Sequence, residues 1–240
     1  EFEQVLVGVC TTDDGGSTGG LVRRLPMIGI GDLRKVFLSM IDREVLVRRY
    51  GPEAPALKII QQVFLYRFGP RAPRREELRD PVVVLEPPLR KLCPPALRAA
   101  LAGLVSGMGA WVDKRLRVPG HCLGNLLLTA AVFRGVRTPG RAPSSSGLKA
   151  GLDAVARVMG VPAERVHAAT AAPGSLIYEY ANGVVATGQA RAARARRGCA
   201  VKRVRISFAA KPTAPPALLA RLRQADLIVY PELQLIGYPP

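Results

Sequence analysis

The feature that most constrains this chain is a valine-rich apolar run that ends in the stretch CTTDDGGSTGGLVRRLP, residues 10 to 26. The run at residues 4 to 12 is typical of a buried strand, and the Asp-Asp-Gly-Gly after it predicts a loop at the carboxyl end of that strand. Such a loop is either a tight bend or a place where a metal ion and a phosphate meet.

The loop carries the residue types of a site for a metal-bound phosphate. Small glycines let backbone N–H groups approach an anion closely, and hydroxyl side chains add further donors. The candidates for this role are Gly15, Gly16, Ser17, Thr18 and Gly19. Asp13 and Asp14 repel a phosphate by themselves, but a bound Mg²⁺ ion, which prefers oxygen ligands, reverses that effect. The alternative is an Asx turn with flexible glycines, and the loop alone leaves both open.

Two further segments place glycine and polar residues at the start of a predicted helix. In GIGDLR, Asp32 is expected to cap the helix, and free N–H groups at the helix start suit an anion; an ordinary capped helix is the alternative. In GHCLGN, His121 and Asn125 flank the start of an apolar helix. His121 is either a phosphate donor or acid–base group or merely a packed or solvated side chain, whereas His167 on a predicted strand is expected to be packed or solvated.

The excess of basic residues narrows the choice of partners without identifying one. Lys and Arg total 35 against 18 Asp and Glu, and the net charge of +17 attracts phosphates, nucleotides, nucleic acid or an anionic membrane. The basic run at residues 191 to 205 lacks aromatic residues for base stacking, so a solvated hairpin loop is favoured and nucleic acid is not an expected partner. One of its arginines remains a candidate for ligand contact.

Cysteine spacing and hydropathy indicate the compartment. Cys10, Cys93, Cys122 and Cys199 form no Cys-x-x-Cys pair, which disfavours a zinc site and a disulfide framework. No run reaches the roughly 18 apolar residues of a membrane span, and the first residues lack a charged and then apolar leader. We therefore expect a cytoplasmic protein without membrane contact.

Alternating helical and strand patterns predict an α/β fold with an antiparallel patch in the C-terminal half. Asn182-Gly183 predicts the turn of a hairpin within SLIYEYANGVVATGQA. The other predicted strands are residues 4 to 12, RVHAAT, AVKRVRISFA and ADLIVYP. Six helices are predicted. One begins at Asp32, and one lies within GHCLGNLLLTAAVF. The others cover residues 56 to 68, 95 to 108, 147 to 160 with Ser146 as cap, and 215 to 225.

The length and composition favour one domain over residues 1 to 240. A helical insertion rich in Pro and Arg is expected at approximately residues 45 to 119. Within it, residues 69 to 95 are dense in Pro and Arg and predict an exposed connection.

Taken in order along the chain, several motifs resemble one known family. They are DDGGSTGG, GIGDLRKVFLSM, HCLGNLLLTA, IYEYANGVVATGQA and ADLIVYP. The chain resembles the 2-phospho-L-lactate transferase family, which includes the gluconeogenesis-factor (YvcK-like) proteins. The resemblance covers most of the sequence and is weakest between residues 45 and 115. It implies a Rossmann-like, mostly parallel sheet flanked by helices, with a nucleotide-type ligand at the strand ends.

The resemblance also implies an activity and a set of site residues. The transferase branch moves a phospholactate group from a guanosine diphosphate-linked donor to a deazaflavin, with Mg²⁺. Asp13 and Asp14 match the acidic pair that acts in catalysis and holds the metal, and Gly15 to Gly19 match the loop near the transferred phosphate. The remaining matches, expected to bind the nucleotide ligand, are Asp32, Arg34, His121, Gly124 and Asn125. A homodimer is the expected assembly.

A regulatory function and two departures from the family pattern stand beside this expectation. The YvcK-like branch binds nucleotide sugars or dinucleotides without catalysis, and it provides the alternative function. No Gly-Gly-Gly-Thr-Gly loop is matched in this sequence, and YPELQLIG, with Glu232, stands where the family has Gly-Pro-Gly-Ser-Leu-Tyr. The sequence leaves open whether the chain is a fragment, a divergent copy or a product of imperfect gene modelling.

Overall fold

The structure is a computed structural model that describes residues 5–52, 55–117, 119–162, 164–194 and 199–225. The strands in these ranges are β1 (Val7–Val9), β2 (Val166–Ala168), β3 (Gly174–Tyr180), β4 (Val185–Thr187) and β5 (Val201–Phe208). The first six α-helices are α1 (Gly16–Val22), α2 (Gly31–Ser39), α3 (Arg43–Tyr50), α4 (Ala56–Leu65), α5 (Arg75–Arg79) and α6 (Pro87–Lys91). The others are α7 (Pro95–Val105), α8 (Ala110–Leu116), α9 (Leu123–Val132), α10 (Ser145–Met159), α11 (Gln189–Arg194) and α12 (Pro216–Leu222), with a 3₁₀ turn at Pro81–Val84.

The first and second strands form a parallel pair. Val7 lies opposite Val166 and Val9 lies opposite Ala168, as the apolar sequence of both segments predicts. Helix α2 packs on both strands, and Leu218 of α12 packs where Gly8 presents no side chain. This parallel pair with flanking helices, together with the separate antiparallel sheet below, confirms the predicted Rossmann-like α/β class.

A three-stranded antiparallel sheet lies in the C-terminal half, with β3 between β4 and β5. The chain turns at Asn182-Gly183, as predicted: Gly183 has φ +81, and its N–H donates to Tyr180 O at 2.9 Å. Asn182 Oδ1 also accepts from Val184 N at 3.2 Å, which is the usual way that asparagine stabilises a turn. The predicted hairpin is confirmed.

The centre of the core is α9, whose residues are all buried. It packs against α4, α7 and α10, which explains why its sequence is apolar on every side. The contact with α10 depends on Gly151, because a Cβ at that position would lie 2.6 Å from the Cα of Val132. The prediction of a buried helix in GHCLGNLLLTAAVF is confirmed.

The predicted exposed connection at residues 69 to 95 is wrong for its apolar half. The prolines and arginines suggested a solvated segment, but apolar side chains recur between them every three or four residues, and α5, the 3₁₀ turn and α6 direct these inward. The residues that join the hydrophobic core are Leu78, Val82, Leu85 and Leu89.

Two helix caps also differ from the prediction. Helix α2 already begins at Gly31, so Asp32 lies in its first turn and does not cap it, although a carboxylate there still suits the helix dipole. Helix α10 is capped by Ser144, whose Oγ accepts from Gly147 N at 3.1 Å, and Ser146 lies inside the helix. Helix α2 has Ile30 at its N-cap without a side-chain hydrogen bond, and both helices begin one or two positions before the predicted boundary.

Two predictions cannot be compared with these elements. Most of the strand predicted at ADLIVYP, and Glu232 after it, lie outside the described residues. Within the described ranges, no helix is long and apolar enough to cross a membrane. The extent of the single domain and of its insertion stays a prediction.

Candidate functional site

The Asp-Asp-Gly-Gly segment begins at Asp13, a few residues after β1 ends at Val9, and lies at the carboxyl end of the parallel pair. Asp13 Oδ1 accepts from Gly15 N at 2.9 Å, so the side chain closes an Asx-type turn. Gly16 then takes φ +46 and begins α1. The position at the strand ends is the one where open α/β sheets bind ligands.

Asp13 is held in a crowded position between the starts of α1 and α2. A Cβ at Gly31 would lie 2.4 Å from Asp13 Oδ2, and a Cβ at Gly29 would lie 2.3 Å from Asp13 O. Burial raises the pKa of the Asp13 carboxyl, the Gly15 N–H lowers it, and the charge of Asp32 raises it again. The two glycines therefore provide the space in which a half-buried carboxylate sits near a second negative charge.

Asp14 contacts a distant part of the chain. Its Oδ1 accepts from Gln189 N at 2.7 Å, at the start of α11. Gly188 has φ +90, and a Cβ there would lie 2.0 Å from Asp14 Oδ2. The turn after β4 thus fits around Asp14, and neither Gly188 nor Gln189 was predicted as a site residue.

The predicted loop residues after Gly15 are mostly helical and buried. Ser17, Thr18 and Gly19 lie within α1, and the Ser17 and Thr18 hydroxyls have partners inside the protein. Only Gly15 and Gly16 remain at or near the surface. The stretch forms a helix because Gly16 supplies the left-handed residue that starts it, after which regular hydrogen bonding continues.

A chain of buried hydrogen bonds connects this loop to the protein interior. Arg34 Nε donates to Asn125 Oδ1 at 2.8 Å, and Asn125 Nδ2 donates to Thr18 Oγ1 at 3.4 Å. The Thr18 hydroxyl in turn bonds to Asp13 and lowers the pKa of its carboxyl. Arg34 and Asn125 are thus brought together with Asp13, but as buried supports.

Gly124 belongs to the same support. A Cβ at this position would lie 2.4 Å from the carbonyl oxygen of Phe64 and 2.7 Å from Cδ of Arg34. Arg34 Nη1 donates to that carbonyl at 3.1 Å. The glycine of the His-Cys-Leu-Gly-Asn motif therefore lets α9 approach α4 and leaves room for the Arg34 side chain.

His121 is buried at the other side of α1. Its Nδ1 lies 3.1 Å from Ser17 Oγ, which also accepts from Cys122 N at 3.1 Å. Its Nε2 is buried and has no hydrogen-bond partner within the described part of the chain. Burial, and then the charge of Arg24, lower the pKa of the His121 imidazole. His121 is therefore a packed, neutral side chain beside the loop.

Asp32 is half-buried, and 42% of its side chain is exposed. It forms an ion pair with Lys35, with Oδ1 and Nζ 2.9 Å apart. Its distance from Asp13 is short enough to raise the pKa of that carboxyl. Asp32 therefore contributes negative potential to the site.

A cavity of about 630 Å³ opens beside Asp13 and Asp14. One part of its wall is apolar and follows α1, and another is the face of the antiparallel sheet that carries Ser175, Thr187 and Ser207. The remaining lining residues are Val22, Arg23, Leu25, Pro26, Met27, Pro173, Gly174, Ile177, Arg191, Phe208 and Ala209. A mixed cavity of this size suits a small ligand with both polar and apolar parts.

Several of these lining residues were not predicted. The sheet residues Ser175, Thr187 and Ser207 carry no local signal, because their neighbours only indicate strands. Arg191 lies in the basic run in which a ligand-contacting arginine was considered, and Arg23 follows the glycine-rich stretch. Charge was thus the only signal that pointed to either arginine.

The carboxylates of Asp13 and Asp14 fit a Mg²⁺ ion that is shared with a ligand. Oxygen atoms are the donors that Mg²⁺ prefers, and Mg²⁺ is commonly held by one or two carboxylates together with substrate phosphates. Among the described residues, no group of three or more His, Cys, Asp or Glu side chains could hold a metal. The donor set therefore fits an ion completed by phosphate oxygens and water.

Comparisons with known proteins identify a family and a shared fold. The sequence matches the family model described as 2-phospho-L-lactate transferase CofD over residues 3–232. Two crystal structures of protein BH3568 from Bacillus halodurans, one described as a member of the UPF0052 family, share the fold with TM-scores of 0.55 and 0.54 at 22% identity. The match covers 93% of this chain and 49% of each of those chains, so this chain spans about half their length. A comparison with curated protein sequences gave no match.

Proposed function

Because the chain belongs to the 2-phospho-L-lactate transferase CofD family, we propose that it transfers a phospholactate-type group from a nucleoside diphosphate-linked donor to an acceptor hydroxyl. The observation that carries this proposal is the cavity at the carboxyl end of β1, into which both Asp13 and Asp14 face. The whole reaction is a proposal, since this chain spans about half the length of the similar solved structures.

The proposed transfer exchanges one phosphorus–oxygen bond for another. The acceptor hydroxyl oxygen bonds to the lactyl-side phosphorus of the donor, and the bond from that phosphorus to the bridging oxygen breaks. The nucleoside monophosphate leaves with the electron pair, and water takes up the hydroxyl proton. Little covalent chemistry is needed from the protein, so positioning and electrostatic stabilisation supply the catalysis.

Asp13 and Asp14 are the residues that would hold Mg²⁺ in this site. The ion, when bound, neutralises negative charge on the phosphate oxygens. The Gly15 N–H keeps Asp13 in place, and the Gln189 N–H does the same for Asp14. Both contacts use backbone donors, so they hold the two carboxylates without cancelling their charge with a cation.

The cavity walls suggest how a donor is accommodated. The apolar residues that follow α1, among them Leu25 and Met27, offer surface for the uncharged part of a ligand. The hydroxyls of Ser175 and Ser207 are neighbours across β3 and β5 and offer hydrogen bonds to its polar part. The matched family is described as a transferase, and this does not favour the alternative of a regulatory protein.

Binding of GDP with Mg²⁺, measured by titration calorimetry, tests the proposal first. We expect Mg²⁺-dependent binding, and its absence for both GDP and UDP overturns the proposal. The turnover assay then uses the guanosine diphosphate-linked phospholactate donor with a deazaflavin acceptor and measures GMP release by chromatography.

Charge-removing variants show whether the two aspartates act as proposed. Asp13→Asn and Asp14→Asn keep an oxygen that accepts from the backbone N–H, so we expect folded proteins without turnover. The matched control is Asp153→Asn, since Asp153 pairs with Lys149 on the solvent-exposed face of α10. Turnover that survives in both site variants contradicts the assigned roles.

The donor base, the acceptor and the assembly follow as further proposals. A guanine nucleotide and a deazaflavin are the first ligands to test. The homodimer and the cytoplasmic location stay predictions, to be measured by light scattering and by fractionation of cells. Nucleic acid remains outside the expected partners, and binding to RNA or DNA at low salt would contradict that expectation.

A further inference from the structure

We propose that Arg23 and Arg191 form an anion subsite in the cavity that also contains Asp13 and Asp14, and that this subsite binds a phosphoryl group of the substrate. The inference rests on the proposed function for the identity of the substrate. Arg23 and Arg191 would recognise the charged oxygens, which gives a role to the basic segment after β4.

Both arginines are available to a ligand. Each lines the cavity and is exposed, and within the described ranges neither side chain makes a hydrogen bond or a salt bridge. Other arginines of the chain do pair with carboxylates, namely Arg48, Arg71, Arg74, Arg98 and Arg117. The cavity therefore contains two cationic groups that have no partner among the residues that the structure describes.

The same cavity contains two carboxylates that the arginines do not neutralise. Asp13 is hydrogen-bonded to Gly15 N, and Asp14 to Gln189 N, and neither forms an ion pair with Arg23 or Arg191. Carboxylates and guanidinium groups that line one cavity without forming ion pairs suit a ligand that carries both positive and negative charge. A metal-bound phosphate is such a ligand, because the metal faces carboxylates and the phosphoryl oxygens face guanidinium groups.

Hydroxyl groups on the antiparallel sheet complete the subsite. Ser175 lies opposite Ser207 across β3 and β5, and Thr187 lies opposite Ile177 across β3 and β4. By strand alternation these side chains share one face of the sheet, and all of them line the cavity. They offer neutral donors beside the two guanidinium groups, which is the mixture that phosphoryl oxygens require.

The position of Arg191 is linked to Asp14. Helix α11 begins at Gln189, whose N–H donates to Asp14 Oδ1, and Arg191 follows two residues later. Gly188 leaves no room for a side chain beside Asp14, so the turn and the carboxylate fit in one arrangement. Asp14, which is proposed to bind the metal, thus also positions Arg191, which is proposed to bind the phosphate.

Inorganic pyrophosphate is the probe that tests the subsite, with titration calorimetry in the presence and absence of Mg²⁺. We expect Arg23→Gln and Arg191→Gln each to weaken binding at least about tenfold in both conditions, because a charge-assisted contact is lost. Arg203→Gln, on exposed β5 outside the cavity lining, is the matched control and should bind like the wild type. Thermal unfolding confirms that the three variants are folded.

The two aspartates should respond differently from the arginines. With Mg²⁺, Asp13→Asn weakens binding of pyrophosphate; without Mg²⁺, it strengthens binding, since a repulsive charge has gone. Asp14→Asn keeps the bond to Gln189 N and should preserve the contribution of Arg191 without Mg²⁺, whereas Asp14→Ala should lose it.

The outcomes separate the subsite from the reaction. If both arginine variants bind pyrophosphate like Arg203→Gln while Asp13→Asn loses Mg²⁺-dependent binding, the subsite is refuted and the proposed function stands. If the arginine variants lose binding but the wild type shows no turnover of the nucleotide-linked donor, the subsite stands and the transferase proposal fails. If the wild type binds neither pyrophosphate nor GDP, both are refuted.

Discussion

Replacing Arg34 by methionine separates a supporting role from direct ligand binding. The resemblance implies that Arg34 contacts the nucleotide ligand, yet this residue is only 7% exposed. Its guanidinium donates to Asn125 Oδ1 and Phe64 O inside the protein. Arg34→Met keeps an unbranched chain of similar length and removes every donor. The consequence should therefore be a loss of stability beneath the loop.

The size of the loss follows from the two acceptors that remain. A buried acceptor left without a donor costs about 1–3 kcal/mol, so two of them cost about 2–6 kcal/mol. The Phe64 carbonyl keeps the thiol of Cys122 as a weak donor at 3.1 Å, and methionine removes the cost of burying a charge. Both effects reduce the penalty, and we expect the free energy of unfolding to fall by about 2–4 kcal/mol.

Urea unfolding followed by far-ultraviolet circular dichroism measures this difference by linear extrapolation. Arg203→Met is the control, because Arg203 lies on exposed β5, and its effect should stay within about 0.5 kcal/mol. Binding of GDP with Mg²⁺ is measured on both variants under conditions in which they are folded. The reasoning is refuted if Arg34→Met unfolds like the control and loses GDP binding, because the side chain then acts on the ligand itself.

Three further changes test the packing around the site. Gly188→Ala should lower the free energy of unfolding by about 1–2 kcal/mol, because Gly188 has a positive φ. It should also weaken Mg²⁺-dependent binding of GDP by displacing Asp14, and an unchanged calorimetric titration would contradict this. Because burial lowers the pKa of His121 in the folded protein, the unfolded chain takes up the proton first, so stability should decrease as pH falls below the ordinary histidine pKa of 6.5. His121→Gln should flatten that slope in urea unfolding at several pH values, and equal slopes would refute the assignment. Gly151→Val should cost about 1–3 kcal/mol by forcing α9 and α10 apart, which a melting curve like the wild type's would disprove.

Local sequence signals were sufficient for the elements near the site. The apolar run before Asp13 predicted the position of the loop, and Asn182-Gly183 predicted the hairpin, because both signals depend on neighbouring residues. The long apolar sequence of α9 predicted burial for the same reason. The predicted helix starts differed from the structure by one or two residues, since serine or aspartate at several adjacent positions can bond to the helix start.

Contacts between distant segments were not predictable from one sequence. The pattern around Gly188 indicates a turn, but nothing in it specifies that the turn encloses Asp14. Likewise, the polar character of Arg34 and Asn125 suggested a ligand, whereas their burial results from the packing of α2, α4 and α9. Residue type gives chemistry, and packing decides whether that chemistry is offered to a ligand or used within the protein.

The hydrogen bond between Asp14 and Gln189 joins residues 175 positions apart. During synthesis, the core helices up to α10 have left the ribosome before the last contact of the site has been made. The loop after β1 therefore stays incomplete until the C-terminal sheet and α11 fold against it. An assay of the proposed site would therefore report that the chain has folded from Asp14 to Gln189, and a chain that stops before residue 189 would lack the contact that holds Asp14.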